Sequence, residues 1–211
     1  MSLSVFMVFV AGIIGSELAP TKSLSTLPVA TIVVGTALSV IPVIRLMSIY
    51  GRKKVFLSAC IYSIILIGLC IVSIAQEIFF LFSFASFCLG ATVATMMQFR
   101  FAAIESVSQE QRASATAVVL LGGLISAFLG TEIATFGKSI LETEFIGSFL
   151  LLALLFIVAF ILMTFFEPVV EFKEQMDRSK RPLKSIIQQG SFIVAVSAAT
   201  TGYVVMSFIM T

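Results

Sequence analysis

Apolar residues run in long blocks along this chain, and polar residues fall in the short intervals between them. The blocks cover residues 3–16, 27–47, 55–75, 78–103, 113–136, 145–166 and 191–210. A helix rises about 1.5 Å per residue, so about 20 apolar residues cross the hydrocarbon core of a bilayer. All blocks but the first reach that length. The first ends at Glu17 and has no basic stretch before it, as a signal peptide would require. It reads as the later part of a spanning helix whose beginning is missing or shortened. Pro28 suits the start of the second helix, and Pro42 should bend it. Gln76 and Glu77 leave room for only a very short turn between the third and fourth.

The pattern predicts an all-α integral membrane protein, a polytopic bundle of six transmembrane helices with part of a seventh. Residues 1–166 form the six-helix domain, 167–189 a polar linker of mixed charge, and 190–211 the start of a second transmembrane half. Composition agrees: 59% of the 211 residues are apolar and 11% charged, against about one quarter charged in soluble domains. Mean hydropathy is +1.15.

Charge placement sets the expected orientation. With the chain's start inside, the inner segments hold Arg45, Arg52, Lys53, Lys54, Arg100, Arg112, Lys173, Arg178, Lys180, Arg181 and Lys184. The outer segments hold only Lys22 and Lys138. Basic residues concentrate on the cytoplasmic side of membrane proteins, so the N-terminus and the basic cluster around Gly51 are expected in the cytoplasm.

Several chemistries are poorly served by this sequence. There is no basic stripe for nucleic acid. There is no His, which removes the commonest metal ligand and general base. Cys60, Cys70 and Cys88 lie in apolar runs without metal-ligand spacing and read as buried, inert thiols. Without paired carboxylates on one helix, or a Ser or Cys beside a base, a membrane-embedded enzyme is disfavoured. No catalytic residue, metal site or cofactor is assigned, and no phosphate-binding loop points to ATP.

The stretch 35–54, GTALSVIPVIRLMSIYGRKK, carries the most informative pattern. Gly35, Leu38, Arg45, Leu46, Gly51, Arg52 and Lys53 fall where a glycine-spaced helix leads into a tight basic turn. A second pattern spans residues 101–123: Glu105, then Arg112, Ala113, Ala115 and the pair Gly122–Gly123. With six helices, a long linker and a new helix beyond it, these resemble the N-terminal half of a major facilitator superfamily transporter. The first pattern departs from that family at Ile44, Ser48 and Ile49, where it has glycine, aspartate and arginine. The fourth helix reads Ser86-Phe-Cys-Leu-Gly90, with Gly90 in place but no arginine, so the usual basis for proton coupling does not transfer. In the fifth, Ser126, Gly130 and Ala134 keep small residues every fourth position, which permits close helix contact. Thr131 stands where antiporters have proline.

The resemblance implies a secondary transporter that moves a small solute by alternating access. Arg45, Gly51, Arg52, Lys53, Glu105 and Arg112 would form its cytoplasmic gate, Glu105 meeting the basic loop in one conformation and releasing it in the other. The same charges serve equally as a topological anchor. Four polar residues within or at the edge of apolar helices, Glu17, Gln98, Arg100 and Glu132, are candidates for the substrate pathway, because ionisable groups at depth usually face a cavity or partner. Arg100 lies close enough to its helix end to reach water. Glu132 follows Ala113 by 19 residues, ~28 Å along the helix, which puts it near the outer surface, as Glu17 is. The 21 Phe read as packing and lipid-facing residues. The expected partners are the lipid bilayer, a small-molecule substrate and a second half, from the same longer chain or a dimer partner. The expected location is a bacterial inner or plasma membrane. The alternative is a six-helix scaffold or subunit that transports nothing.

Overall fold

A computed structural model of the chain describes residues 2–105, 107–141, 144–165 and 189–210, and all regular structure among them is helical. The chain divides into two compact units, Met1–Pro168 and Val169–Thr211. The first contains α1 (Ser2–Leu18), α2 (Leu27–Tyr50), α3 (Arg52–Ala75), α4 (Phe79–Met96), α5 (Phe99–Glu105), α6 (Arg112–Gly137) and α7 (Ile146–Thr164). Single 3-10 turns at Lys22–Leu24 and Gln109–Gln111 lie in the connections before α2 and α6. The second unit contains α8 (Gly190–Met210), whose Ser197, Thr200 and Thr201 hydroxyls each return to a carbonyl four residues back. Of the linker expected over residues 167–189, all but Gln189 lies outside the described residues, as do Lys173, Arg178, Lys180, Arg181 and Lys184.

Among the described residues, five helical stretches are long and apolar enough to cross a membrane: Lys22–Tyr50, Arg52–Ala75, Phe79–Ile104, Gln109–Gly137 and Ile146–Thr164. The equally apolar α1 has 17 residues, about 25 Å. Helices suit this setting because each satisfies its own backbone hydrogen bonds where no water is available.

One feature departs from the sequence reading. The fourth apolar block is two helices, because α4 stops at Met96 and α5 begins at Phe99. Pro42 lies inside a continuous α2, where it removes the amide that would bond the Leu38 carbonyl but does not end the helix.

Within the first unit α2 runs along α4, α3 packs on α4 and α7, and α6 packs on α1, α5 and α7. The main core is a knot of phenylalanines. Phe6 of α1 meets Phe149 of α7 edge-on at 5.2 Å between ring centroids, and Phe82 of α4 meets the same ring at 6.2 Å. All three rings are fully buried. Around them pack Met7, Val10, Ile67, Cys70, Leu89 and Leu152.

Because lipid tails are as apolar as the side chains, helix association here depends on close packing and interhelical hydrogen bonds. Thr31 of α2 donates to the Ser83 carbonyl of α4 at 3.1 Å. Ser63 of α3 pairs with Thr92 of α4 at 2.8 Å, and Ser148 of α7 donates to the Ala134 carbonyl of α6 at 2.9 Å. A side chain on Gly35 would strike the Phe87 carbonyl, and one on Gly90 would lie 2.7 Å from the Ile32 carbonyl oxygen. The backbones of α2 and α4 therefore touch where these two glycines sit. Gly130 plays the same part between α6 and α1, its missing side chain falling 2.8 Å from the Ser2 carbonyl oxygen.

Candidate functional site

The basic turn between α2 and α3 is built on one residue. Gly51 ends α2 by donating its amide to the Met47 carbonyl at 3.0 Å, and α3 begins at the next residue. Its φ of 83° and ψ of 156° are accessible in practice only to glycine. A β-carbon at this position would meet nothing within 4 Å, so the requirement is purely one of backbone conformation. Gly51→Ala is expected to lose about 2 kcal/mol of stability. Gly51→Asn should be no better, because asparagine's tolerance of left-handed φ applies at ψ near +47°. Denaturant unfolding of both variants in bicelles checks this, and an unchanged midpoint for either would refute it.

The first two cations of the turn each donate to a backbone carbonyl. Arg52, half-buried, donates from Nη1 to the Gln98 carbonyl at 3.4 Å. Lys53 donates from Nζ to the Thr164 carbonyl at 2.7 Å. Both acceptors lie at helix ends, Gln98 just past α4 and Thr164 at the last residue of α7. At Thr164 the C-terminus of α7 leaves carbonyls without amide partners and carries partial negative charge, so Lys53 is favoured there twice over.

The break in the fourth span makes this arrangement possible. The Gln98 amide bonds the Thr95 carbonyl, the tighter spacing of a closing helix, while the Gln98 carbonyl accepts the Phe101 and Ala102 amides that open α5. Phe99, first in α5, stacks on Phe56 of α3 at 4.3 Å with ring planes 25° apart. Beneath them Val43, Met47, Val55, Phe56, Ala94 and Ala102 form a second buried cluster joining α2, α3, α4 and α5. This cluster fixes the basic turn, the Gln98 joint and α5 at one end of the bundle, called here the basic end.

The remaining candidate residues distribute as follows. Arg45 of α2, Arg100 of α5 and Arg112 at the head of α6 are exposed at the basic end. The Arg100 guanidinium lies 4.9 Å over the ring of Phe101. Ser48, standing at the family's aspartate position, donates to the Arg45 carbonyl of its own helix at 2.7 Å. Glu105 ends α5, and its side chain lies outside the described residues. Glu17 and Glu132 are exposed and stand toward the other end, Glu17 in the last turn of α1 and Glu132 between Gly130 and Ala134 of α6. Thus Arg52, Lys53 and Gln98 converge with Arg100 nearby, while Glu17 and Glu132 stand apart from them. Among the described residues no group of His, Cys, Asp and Glu is arranged to hold a metal.

The family model of the Major Facilitator Superfamily matches the chain over residues 1–211. The chain belongs to that superfamily. It is accordingly a multi-pass membrane protein of a transporter family, not an enzyme, and its setting is the lipid bilayer. It is 31% identical over 208 residues to the riboflavin transporter RfnT of Brucella anthropi, an alignment covering 95% of this chain and 51% of that protein. The chain thus spans about half the length of the curated relative it matches. No solved structure matches it.

Two contributors to the site carried no recognisable sequence signal. The Thr164 carbonyl is a backbone group 111 residues from Lys53, and Phe99 is one of many phenylalanines in apolar sequence. Gln98 was noticeable as a polar residue within an apolar run, although its side chain is not what receives Arg52.

Proposed function

We propose that this chain forms the N-terminal half of a secondary transporter that moves a riboflavin-like solute by alternating access. The observation that carries the reading is the match to the riboflavin transporter of Brucella anthropi along nearly the whole of this chain. The basic turn supports the mechanism. Arg52 and Lys53 each donate to a backbone carbonyl at the ends of α4 and α7. Such contacts can be exchanged between two arrangements without rebuilding a core, which suits a gate.

In this reading the basic end faces the cytoplasm. Arg45, Gly51, Arg52, Lys53 and Arg112 form the gate, with the Glu105 carboxylate as the switching partner of the basic turn. Gln98 and Arg100 meet the solute near the gate, and Glu17 and Glu132 meet it toward the opposite mouth. A second half, from the same longer chain or from a partner copy, supplies the facing wall. The membrane is a bacterial inner membrane, by analogy with the relative.

The test is uptake of fluorescent riboflavin into reconstituted vesicles containing the chain alone or with a co-expressed second half, with and without an imposed proton gradient. Saturable uptake, competed by excess riboflavin and not by unrelated sugars, is expected with the second half present. Uptake equal to that of protein-free vesicles in every condition would defeat the substrate assignment.

A further inference from the structure

Beside Arg52 and Lys53 the basic end carries four more cations, three of which the proposed function also places in the gate or along the solute path. Arg45, Lys54, Arg100 and Arg112 are exposed and belong to α2, α3, α5 and α6 respectively. The buried cluster of Val43, Met47, Phe56, Ala94 and Ala102 brings α2, α3, α4 and α5 together at this end, and α5 packs on α6. None of the four is ion-paired to a described residue; the ion pair of Lys138 with Glu144 belongs to the α6–α7 connection. By contrast Arg52 and Lys53 are half-buried and bonded to carbonyls.

The same rim exposes aromatic surface. Tyr50, the last residue of α2, is 59% exposed, and Phe101, under the Arg100 guanidinium, is 41% exposed. Aromatic rings beside outward-facing Arg and Lys at the end of a spanning helix are characteristic of the headgroup layer, where the ring sits among the upper acyl carbons and the cation among phosphates.

We infer that Arg45, Lys54, Arg100 and Arg112, with Tyr50 and Phe101 beside them, form a surface that binds anionic phospholipid headgroups and enriches such lipids around the basic end. The cations sit on four separate helices, α2, α3, α5 and α6. That suits an array of membrane phosphates better than a single soluble anion, which needs several donors on one small group. Each Lys or Arg at an anionic surface contributes about fivefold to association, and the attraction is screened by salt.

The test reconstitutes the chain in phosphatidylcholine vesicles carrying trace spin-labelled phosphatidylglycerol or spin-labelled phosphatidylcholine, and compares the motionally restricted fraction of each. At low salt the protein should favour phosphatidylglycerol by about fivefold or more. The preference should fall below about twofold in half-molar salt and in the variant Arg45→Gln, Lys54→Gln, Arg100→Gln, Arg112→Gln. The charge-preserving variant Arg45→Lys, Lys54→Arg, Arg100→Lys, Arg112→Lys should keep it. Should the glutamine variant not fold, the salt titration and the charge-preserving variant decide. Equal restriction of the two lipids, a preference indifferent to salt, or its loss in the charge-preserving variant would each overturn the inference.

Discussion

Gly90→Val is expected to cost about 3 kcal/mol of stability or more and to loosen the whole first unit. Gly90 of α4 faces the backbone of α2, where even a β-carbon would collide with the Thr36 amide and lie 2.7 Å from the Ile32 carbonyl oxygen. Across the contact, a β-carbon on Gly35 would strike the Phe87 carbonyl. Neither obstacle is a flexible side chain that could rotate away, so the helices must separate. Separation would also stretch the bond from Thr31 to the Ser83 carbonyl and open the packing around Leu89. Gly35→Val should be similarly harmful, and the double variant less than additive, because one separation accommodates both. Gly68→Ala is the control: its site on α3 has nothing within 4 Å of a β-carbon, and alanine is favoured over glycine in a helix by about 1 kcal/mol. Denaturant titration in bicelles measures all four. Gly90→Val within about 0.5 kcal/mol of Gly68→Ala would show that α2 and α4 are not in backbone contact.

How much of this was legible in the sequence differs from feature to feature. The spans were plain, because a run of apolar residues in a bilayer has almost no alternative to a helix. Gly51 was also readable, since a glycine directly before Arg52 at the end of an apolar block marks a turn that other residues resist. Gly90 was visible only as a family position; its pairing with Gly35 required knowing that α2 and α4 lie side by side. The break at Met97–Gln98 was hidden, because neither residue is glycine or proline. It arises from tertiary causes: the Phe56–Phe99 stack, and the Arg52 guanidinium on the Gln98 carbonyl. Nor could a sequence disclose that Ser48, at the family's aspartate position, turns back on its own helix, or that the cations beside it are taken up by backbone carbonyls.

If the chain transports as proposed, exchanging Arg52 and Lys53 together for glutamine is expected to slow solute uptake by tenfold or more while leaving the bundle folded. A tenfold loss corresponds to about 1.4 kcal/mol in the barrier, comparable with the worth of one charge-assisted hydrogen bond. Glutamine retains amide donors but loses the positive charge and the length needed to reach the Gln98 and Thr164 carbonyls. The folded state should nonetheless lose only about 2 kcal/mol, because the Phe6–Phe82–Phe149 core and the Gly35–Gly90 contact remain. The variant Arg52→Lys, Lys53→Arg separates charge from geometry. Lysine keeps the charge opposite Gln98 but lacks the planar fork that reaches a half-buried carbonyl. Partial recovery of uptake in this exchange would place the greater weight on charge, and none would place it on guanidinium geometry at position 52. The measurement is initial uptake in vesicles holding equal amounts of folded protein, verified by helix content and unfolding midpoint. Normal uptake by the glutamine variant at equal folded content would remove the basic turn from the transport cycle and leave its charges with topology alone.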